Sequence, residues 1–256
     1  MALMALAGAA RGSTPSSTLY PFPGYDLGLV RAKTRAEAAP PGADLAQAWR
    51  LYAQIQGTWM PGAPKPKPEA VAALDQLRAK LEAMPVPAWF AAALDPGHTV
   101  QTGLADRIGD EVFVQQRATP EYQALKALAL VYLTGHELDR RGAAELAGRY
   151  LVALTTTHPW DWEVHGLYAR FLVDAQHNDP AWEEAKLSVF LNPEPSLEQL
   201  KQFAFVGGIA AREQWPEIKE AIRQAATDSR TAELAIQQAD DLFAGSTSVN
   251  VVQPRP

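Results

Sequence analysis

The densest run of chemically capable side chains is His158-Pro-Trp-Asp-Trp-Glu-Val-His165. Asp161 and His165 stand at i and i+4, a spacing that puts both on one helical face and offers an oxygen and an imidazole to a metal ion. The same residues have a plainer use. Asp161 is placed to cap a helix by accepting from the amides that follow it, and Trp160 and Trp162 are placed to anchor a helix junction. No third strong ligand is fixed by spacing, so no metal and no cofactor is expected.

Other candidates reduce in the same way. Gly135-His136-Glu137 lacks the second histidine of a zincin motif and reads as a loop leading to Arg140-Arg141, a pair that could meet an acidic partner. Glu183-Glu184 and Asp240-Asp241 read as exposed helix faces rather than paired catalytic carboxylates. Gly207-Gly208 falls inside a helical run, where two glycines mark a close helix crossing or a kink; without a preceding strand or a following Lys-Ser/Thr they are no phosphate loop. Serine-hydrolase, Walker and dinucleotide fingerprints are lacking, and the chain is read as non-enzymatic.

Proline shows which elements must hold these residues. Of 20 prolines, twelve lie in residues 1–100, six in residues 101–250 and two in the last six residues. The first hundred residues are therefore interrupted structure, and long helices belong to the remainder. In the first part, a short helix is expected over residues 26–38. Another, capped by Asp44, carries Leu45, Trp49, Tyr52 and Ile55, and Gly57 ends it. Pro64-Lys-Pro-Lys-Pro68 reads as a stiff extended spacer that could also serve as a polyproline ligand. Over residues 69–84, Val71, Leu74, Leu77, Leu81 and Met84 share one face of a helix, and residues 88–94 add a short apolar turn. Residues 110–117 read as a helical turn or a strand. Helices then follow at 120–134, 143–157, 160–176, 180–191, 196–211, 215–227 and 230–244, joined by short connections that imply antiparallel neighbours.

Two helix pairs close at His158-Pro159 and Asn192-Pro193, with the prolines 34 residues apart. Ala147 and Leu151, and Ala169, Leu172 and Ala181, fall at small and large apolar positions where antiparallel helices need close approach and a filled groove. Trp182 and Trp215, 33 apart, suggest a third pair. Over residues 119–228 the chain thus resembles the tetratricopeptide (TPR) repeats, departing from their pattern at His165, Ala185 and Ser188. The resemblance implies an all-α, α-α superhelix of antiparallel helix pairs, with the first helix of each pair lining a concave face that binds a protein or peptide.

The organisation expected is an Ala-rich and then Pro/Ser-rich segment (1–43), an irregular helical part (44–118), a TPR-like domain (119–244) that stands alone, and a tail (245–256). Within the tail, Val249-Asn-Val-Val252 could add as a strand to a partner's sheet. Residues 1–10 read either as the apolar core of an export signal or as an Ala-rich terminus, and a cytoplasmic location is favoured over export.

Composition narrows the partners. The formal net charge of −6 argues against nucleic acid, and no apolar run is long enough to cross a membrane. The lack of cysteine excludes thiol nucleophiles, disulfides and Cys-ligated zinc. A protein-binding scaffold is the function expected, with Trp59, Arg140, Arg141, Trp160 and His165 as partner-facing residues. Two alternatives stand beside it. One is an α-helical hydrolase or small-ligand binder with a pocket between helices around His158, Asp161 and His165. The other is an accessory subunit of a cell-envelope complex.

Overall fold

The computed structural model describes residue 19 and residues 27–37, 40–56, 64–94 and 119–246. Every regular element among them is a helix. They are α1 (Leu27–Glu37), α2 (Ala43–Ile55), α3 (Pro68–Glu82), α4 (Ala88–Ala93), α5 (Pro120–Glu137), α6 (Ala143–Thr157), α7 (Trp162–Asp174), α8 (Asn178–Leu191), α9 (Leu197–Ala210), α10 (Trp215–Ala225) and α11 (Ser229–Ser246), with a 3₁₀ turn at Arg212–Gln214. None of these helices is long and apolar enough to cross a membrane. Trp59, residues 1–10, residues 110–117 and the strand-like Val249–Val252 lie outside the described residues.

Side-chain caps set the starts of α5, α7 and α9. Thr119 accepts from the Tyr122 amide at the start of α5, and Asp161 accepts from the Glu163 and Val164 amides at the start of α7. Ser196 and Gln199 form a reciprocal capping box on α9. Asp44 does not cap α2. It lies in the first turn behind Gly42, where its carboxylate accepts from Lys80 on α3 at 2.6 Å. Glycine stops no helix at Gly135, for α5 continues to Glu137. His136 and Glu137 are therefore helical rather than in a loop. At Gly135 a side chain would press on Ala143 Cβ, 3.3 Å away, so this glycine serves the α5–α6 approach instead. The C-terminal helix likewise runs to Ser246, past the expected start of the tail.

Helix α5 organises the first half. Thirteen of its 18 residues are buried, because α2 and α3 pack on one side of it and α6 on the other. Leu45, Leu51, Ile55, Leu74, Leu77, Leu81 and Phe90 consequently share one apolar cluster with Leu125, Leu128, Leu130 and Leu133 and with Leu151 and Leu154. The boundary expected at residue 118 thus runs through a common core. Met84 departs from the expected α3 face and is 40% exposed, since the helix has already ended at Glu82.

A second apolar cluster is built by α7 through α11. Helices α7 and α8 form a tight antiparallel pair, and α9 packs on α8. The expected third pair is modified, because α9 packs more extensively on α11 than on the short α10. The α9 glycines make this crossing close: a Cβ on Gly207 would stand 2.9 Å from Ile218 Cδ1 and from the Trp182 ring. The N-terminal helix α1 belongs to this half. Val30 is buried in its cluster, Thr34 Oγ1 donates to the Leu191 carbonyl at 2.8 Å, and Arg31 donates to the Ala225 carbonyl at 2.6 Å. Side chains of α1 thereby satisfy carbonyls at the C-terminal ends of α8 and α10.

Candidate functional site

Three helices turn one face each toward a common groove. On α7 that face is Trp162, Gly166, Arg170 and Asp174 with Leu167 and Val173 between; on α2 it is Trp49, Tyr52, Ala53 and Gln56; on α9 it is Glu198, Lys201, Gln202 and Phe205. The α2 and α9 sets follow the i, i+3, i+4, i+7 rule for one side of a helix, and the α7 set repeats every four residues along one side. Helix α7 is the floor. Gln56 and Tyr52 of α2 reach Arg170 from one side, and Gln202 of α9 donates to the Gly166 carbonyl from the other. Arg35 of α1 and the Asn192–Ser196 turn close one end around a cavity of 1520 Å³.

Its surface alternates aromatic faces with amides and charges. Phe205 is 39% exposed although apolar, and Trp49 and Trp162 are half-buried. Arg170 is fixed from three directions: it donates to Glu137 at 2.7 Å and to Gln56 at 3.2 Å, and its guanidinium lies 5.6 Å from the Tyr52 ring centroid. Burial pushes the Tyr52 hydroxyl up to about 12 against the pull of Arg170. The Asp174 carboxyl is also held above its ordinary range, first by loss of solvent, and Arg170 offsets this only in part.

Behind the groove lies a buried polar junction. Asp161, fully buried, accepts from the Tyr122 hydroxyl at 2.7 Å and from Lys126 Nζ at 2.9 Å while capping α7. Lys126 also donates to Glu163, which reaches the groove wall. His158 stacks on Tyr122, with centroids 3.8 Å apart, and packs beside Trp89 at 5.3 Å. His165 points away from Asp161. Its Nδ1 meets Glu184 at 2.5 Å and its Nε2 donates to the Pro159 carbonyl at 2.8 Å. Burial alone would lower the His165 pKa, but the Glu184 charge and hydrogen bond, with the Pro159 carbonyl, raise it above its ordinary value.

This geometry redistributes the residues expected from sequence. Trp160 and His165 are 2% exposed and sit in the core rather than on a partner-facing surface. Trp160 is drawn in by the α7–α11 cluster, and His165 by its pairing with α8. Arg140 pairs with Asp75 of α3, its second bond measuring 3.0 Å, and Arg141 is exposed on the α5–α6 turn. Neither arginine lines the groove, and neither do His158, Asp161 or His165. Glu184 is not a solvated face residue, since it holds His165, and Asp240 accepts from Trp215 Nε1 at 2.9 Å and from Lys219 at 2.8 Å. Among the described residues no group of three or more His, Asp or Glu is placed to hold a metal.

Sequence reasoning passed over Arg170, Phe205, Gln202 and Asp174. Trp49 and Tyr52 carried a signal, as two large aromatics three apart on an amphipathic helix, but they read equally as core. No protein-family model, curated protein or solved structure matches this chain.

Proposed function

We propose that the chain is a non-enzymatic scaffold that holds a partner protein through an extended segment laid in the α2/α7/α9 groove. The groove itself carries this reading. At 1520 Å³ it exceeds the roughly 300–1,000 Å³ of small-molecule pockets, and it is open along a helix rather than enclosed. Aromatic faces supply contact area, while the amide ends that Gln56, Gln199 and Gln202 do not use on Arg170, Ser196 and Gly166 are suited to a peptide backbone. The repeat-like succession of antiparallel pairs α5/α6 and α7/α8 supports the same reading, as does α7, the first helix of its pair, on the groove side. Of the residues that would serve a hydrolase, Asp161 and His165 are engaged in closing the helix junction and His158 packs against Tyr122.

The test is selection of short displayed peptides on the immobilised full-length chain. Selected peptides are expected to bind at least about tenfold more weakly to the Phe205→Asp and Trp49→Ala variants, as central aromatic contacts do. Equal binding to both variants, or no enrichment over a blank surface, overturns the reading.

A further inference from the structure

One exposed element outside the groove has the chemistry to fill it. Residues 64–68 have the sequence Pro-Lys-Pro-Lys-Pro, and all but the half-buried Pro66 are exposed. Lys67, at φ −63° and ψ 135°, has polyproline II geometry, and Pro68 anchors the segment as the first residue of α3. Proline stiffens such a segment before it binds, so little conformational freedom is lost on docking. Lys65 and Lys67 have no ion pair among the described residues, unlike Lys80, Lys126, Lys186, Lys201 and Lys219. Apart from the half-buried Pro66, the segment is thus a doubly cationic rod exposed to solvent, with no ion pair to the described residues.

The groove is complementary to it. Extended proline-rich segments dock on aromatic-lined grooves, and here Trp49, Tyr52, Trp162 and Phe205 provide the lining. Of its four carboxylates, Glu163 is held by Lys126, and Glu194 and Glu198 form exposed ion pairs with Arg35 and Lys201, while Asp174 lies by Arg170. Exposed pairs of this kind are worth little, and Glu194 and Glu198, with 73% and 79% of their side chains in solvent, keep room to accept from an incoming lysine as well. Asp174 is only partly compensated by Arg170. The dimensions agree as well: five residues of polyproline II span about 15 Å, and a floor of 13 helical residues runs about 20 Å. Residues 64–68 do not line the groove of their own chain.

Resting on the groove reading above, we infer that residues 64–68 of a second copy occupy the α2/α7/α9 groove, so that the chain assembles head to tail. The rod and the groove are different surfaces, which makes the contact heterologous. Such a contact extends until a ring closes or a filament forms.

Sedimentation velocity of the full-length chain over a wide concentration range tests this. The weight-average mass is expected to rise past that of a monomer with concentration. The Lys65→Glu/Lys67→Glu variant, altered only at exposed positions, and the groove variant Phe205→Asp are each expected to remain monomeric, with folding checked by circular dichroism. An equimolar mixture of the two holds one intact groove and one intact rod per pair, so it is expected to form a capped dimer and stop there. A wild-type chain that stays monomeric, a rod variant that assembles like wild type, or a mixture that does not pair each overturns the proposal. If the chain stays monomeric while selected peptides still bind in a Phe205-dependent way, self-assembly fails and the groove reading survives. If those peptides ignore Phe205 as well, both fail.

Discussion

Lys126 Nζ stands 2.9 Å from Asp161 Oδ2, with the two side chains 4% and 0% exposed. This pair joins the middle of α5 to the N-terminal cap of α7, and so ties the core around α5 to the helix that floors the groove. Replacing Lys126 with Met keeps the length of the side chain and leaves a buried carboxylate without its cation. Removing one partner of such a pair costs about 3–5 kcal/mol. The Lys126→Met variant is therefore expected to lose that much in urea unfolding. Lys126→Met combined with Asp161→Asn is expected to recover a good part, because the amide oxygen still caps α7 and carries no charge.

The helices of the second half were legible because their punctuation is chemical. Pro120, Thr119, Asp161 and Ser196 act at helix starts as their types require. The site was not legible, for two reasons. Its walls come from α2 and α9, about 150 residues apart in the chain, and period alone does not separate a groove-facing aromatic from a core one. The partners of the buried charges are also set by packing rather than by spacing. Asp161 was correctly read as a cap, but its bond to Lys126 spans 35 residues, and His165 finds Glu184 rather than Asp161. Gly135 failed as a stop signal because the burial of α5 against α2, α3 and α6 outweighs the roughly 1 kcal/mol cost of one helical glycine.

The His165–Glu184 contact makes stability pH-dependent. Both ring nitrogens face acceptors, the Glu184 carboxylate and the Pro159 carbonyl, an arrangement that suits the imidazolium. Its folded-state pKa is raised above the unfolded value of 6.5. The folded chain then holds a proton that the unfolded chain has released. This contribution is complete below pH 6.5 and is lost as pH rises through the folded pKa. Urea midpoints of the wild type are expected to fall from pH 6 to pH 9 relative to His165→Gln, which has no proton to lose there. Parallel profiles for the two proteins would show that the pair does not titrate.

The shared core predicts the outcome of truncation. A chain lacking residues 1–118 was expected from sequence to stand as an independent repeat domain. In the structure Leu45, Leu51, Ile55, Leu74, Leu77 and Phe90 pack with α5, which is buried around nearly its whole circumference. Deletion would bare apolar surface along 18 residues of α5, and at roughly 25 cal/mol per Å² that loss is comparable with the whole stability of a domain. The fragment is expected to aggregate or lose cooperative unfolding by circular dichroism. A monomeric fragment with a sharp transition would mean that α5 to α11 suffice.

Gly207 tests how tightly the groove wall is set. Alanine in a helix interior normally gains about 1 kcal/mol over glycine. Here a Cβ would stand 2.9 Å from both Ile218 Cδ1 and the Trp182 ring, and those neighbours are 0% and 6% exposed and packed in the core. Overpacking of this kind costs about 1–3 kcal/mol, so the steric term exceeds the propensity gain. Gly207→Ala is therefore expected to lower the melting temperature. Because α9 must then shift away from α8 and α10, the same variant is expected to weaken peptide binding even though Gly207 contributes no side chain to the groove. Alanine at Gly166 is the control. It lies on the α7 floor where a Cβ would meet Ser188 Oγ at 2.8 Å, a single small hydroxyl able to rotate. Gly166→Ala should alter binding with little change in melting temperature, which separates a shifted wall from an obstructed floor.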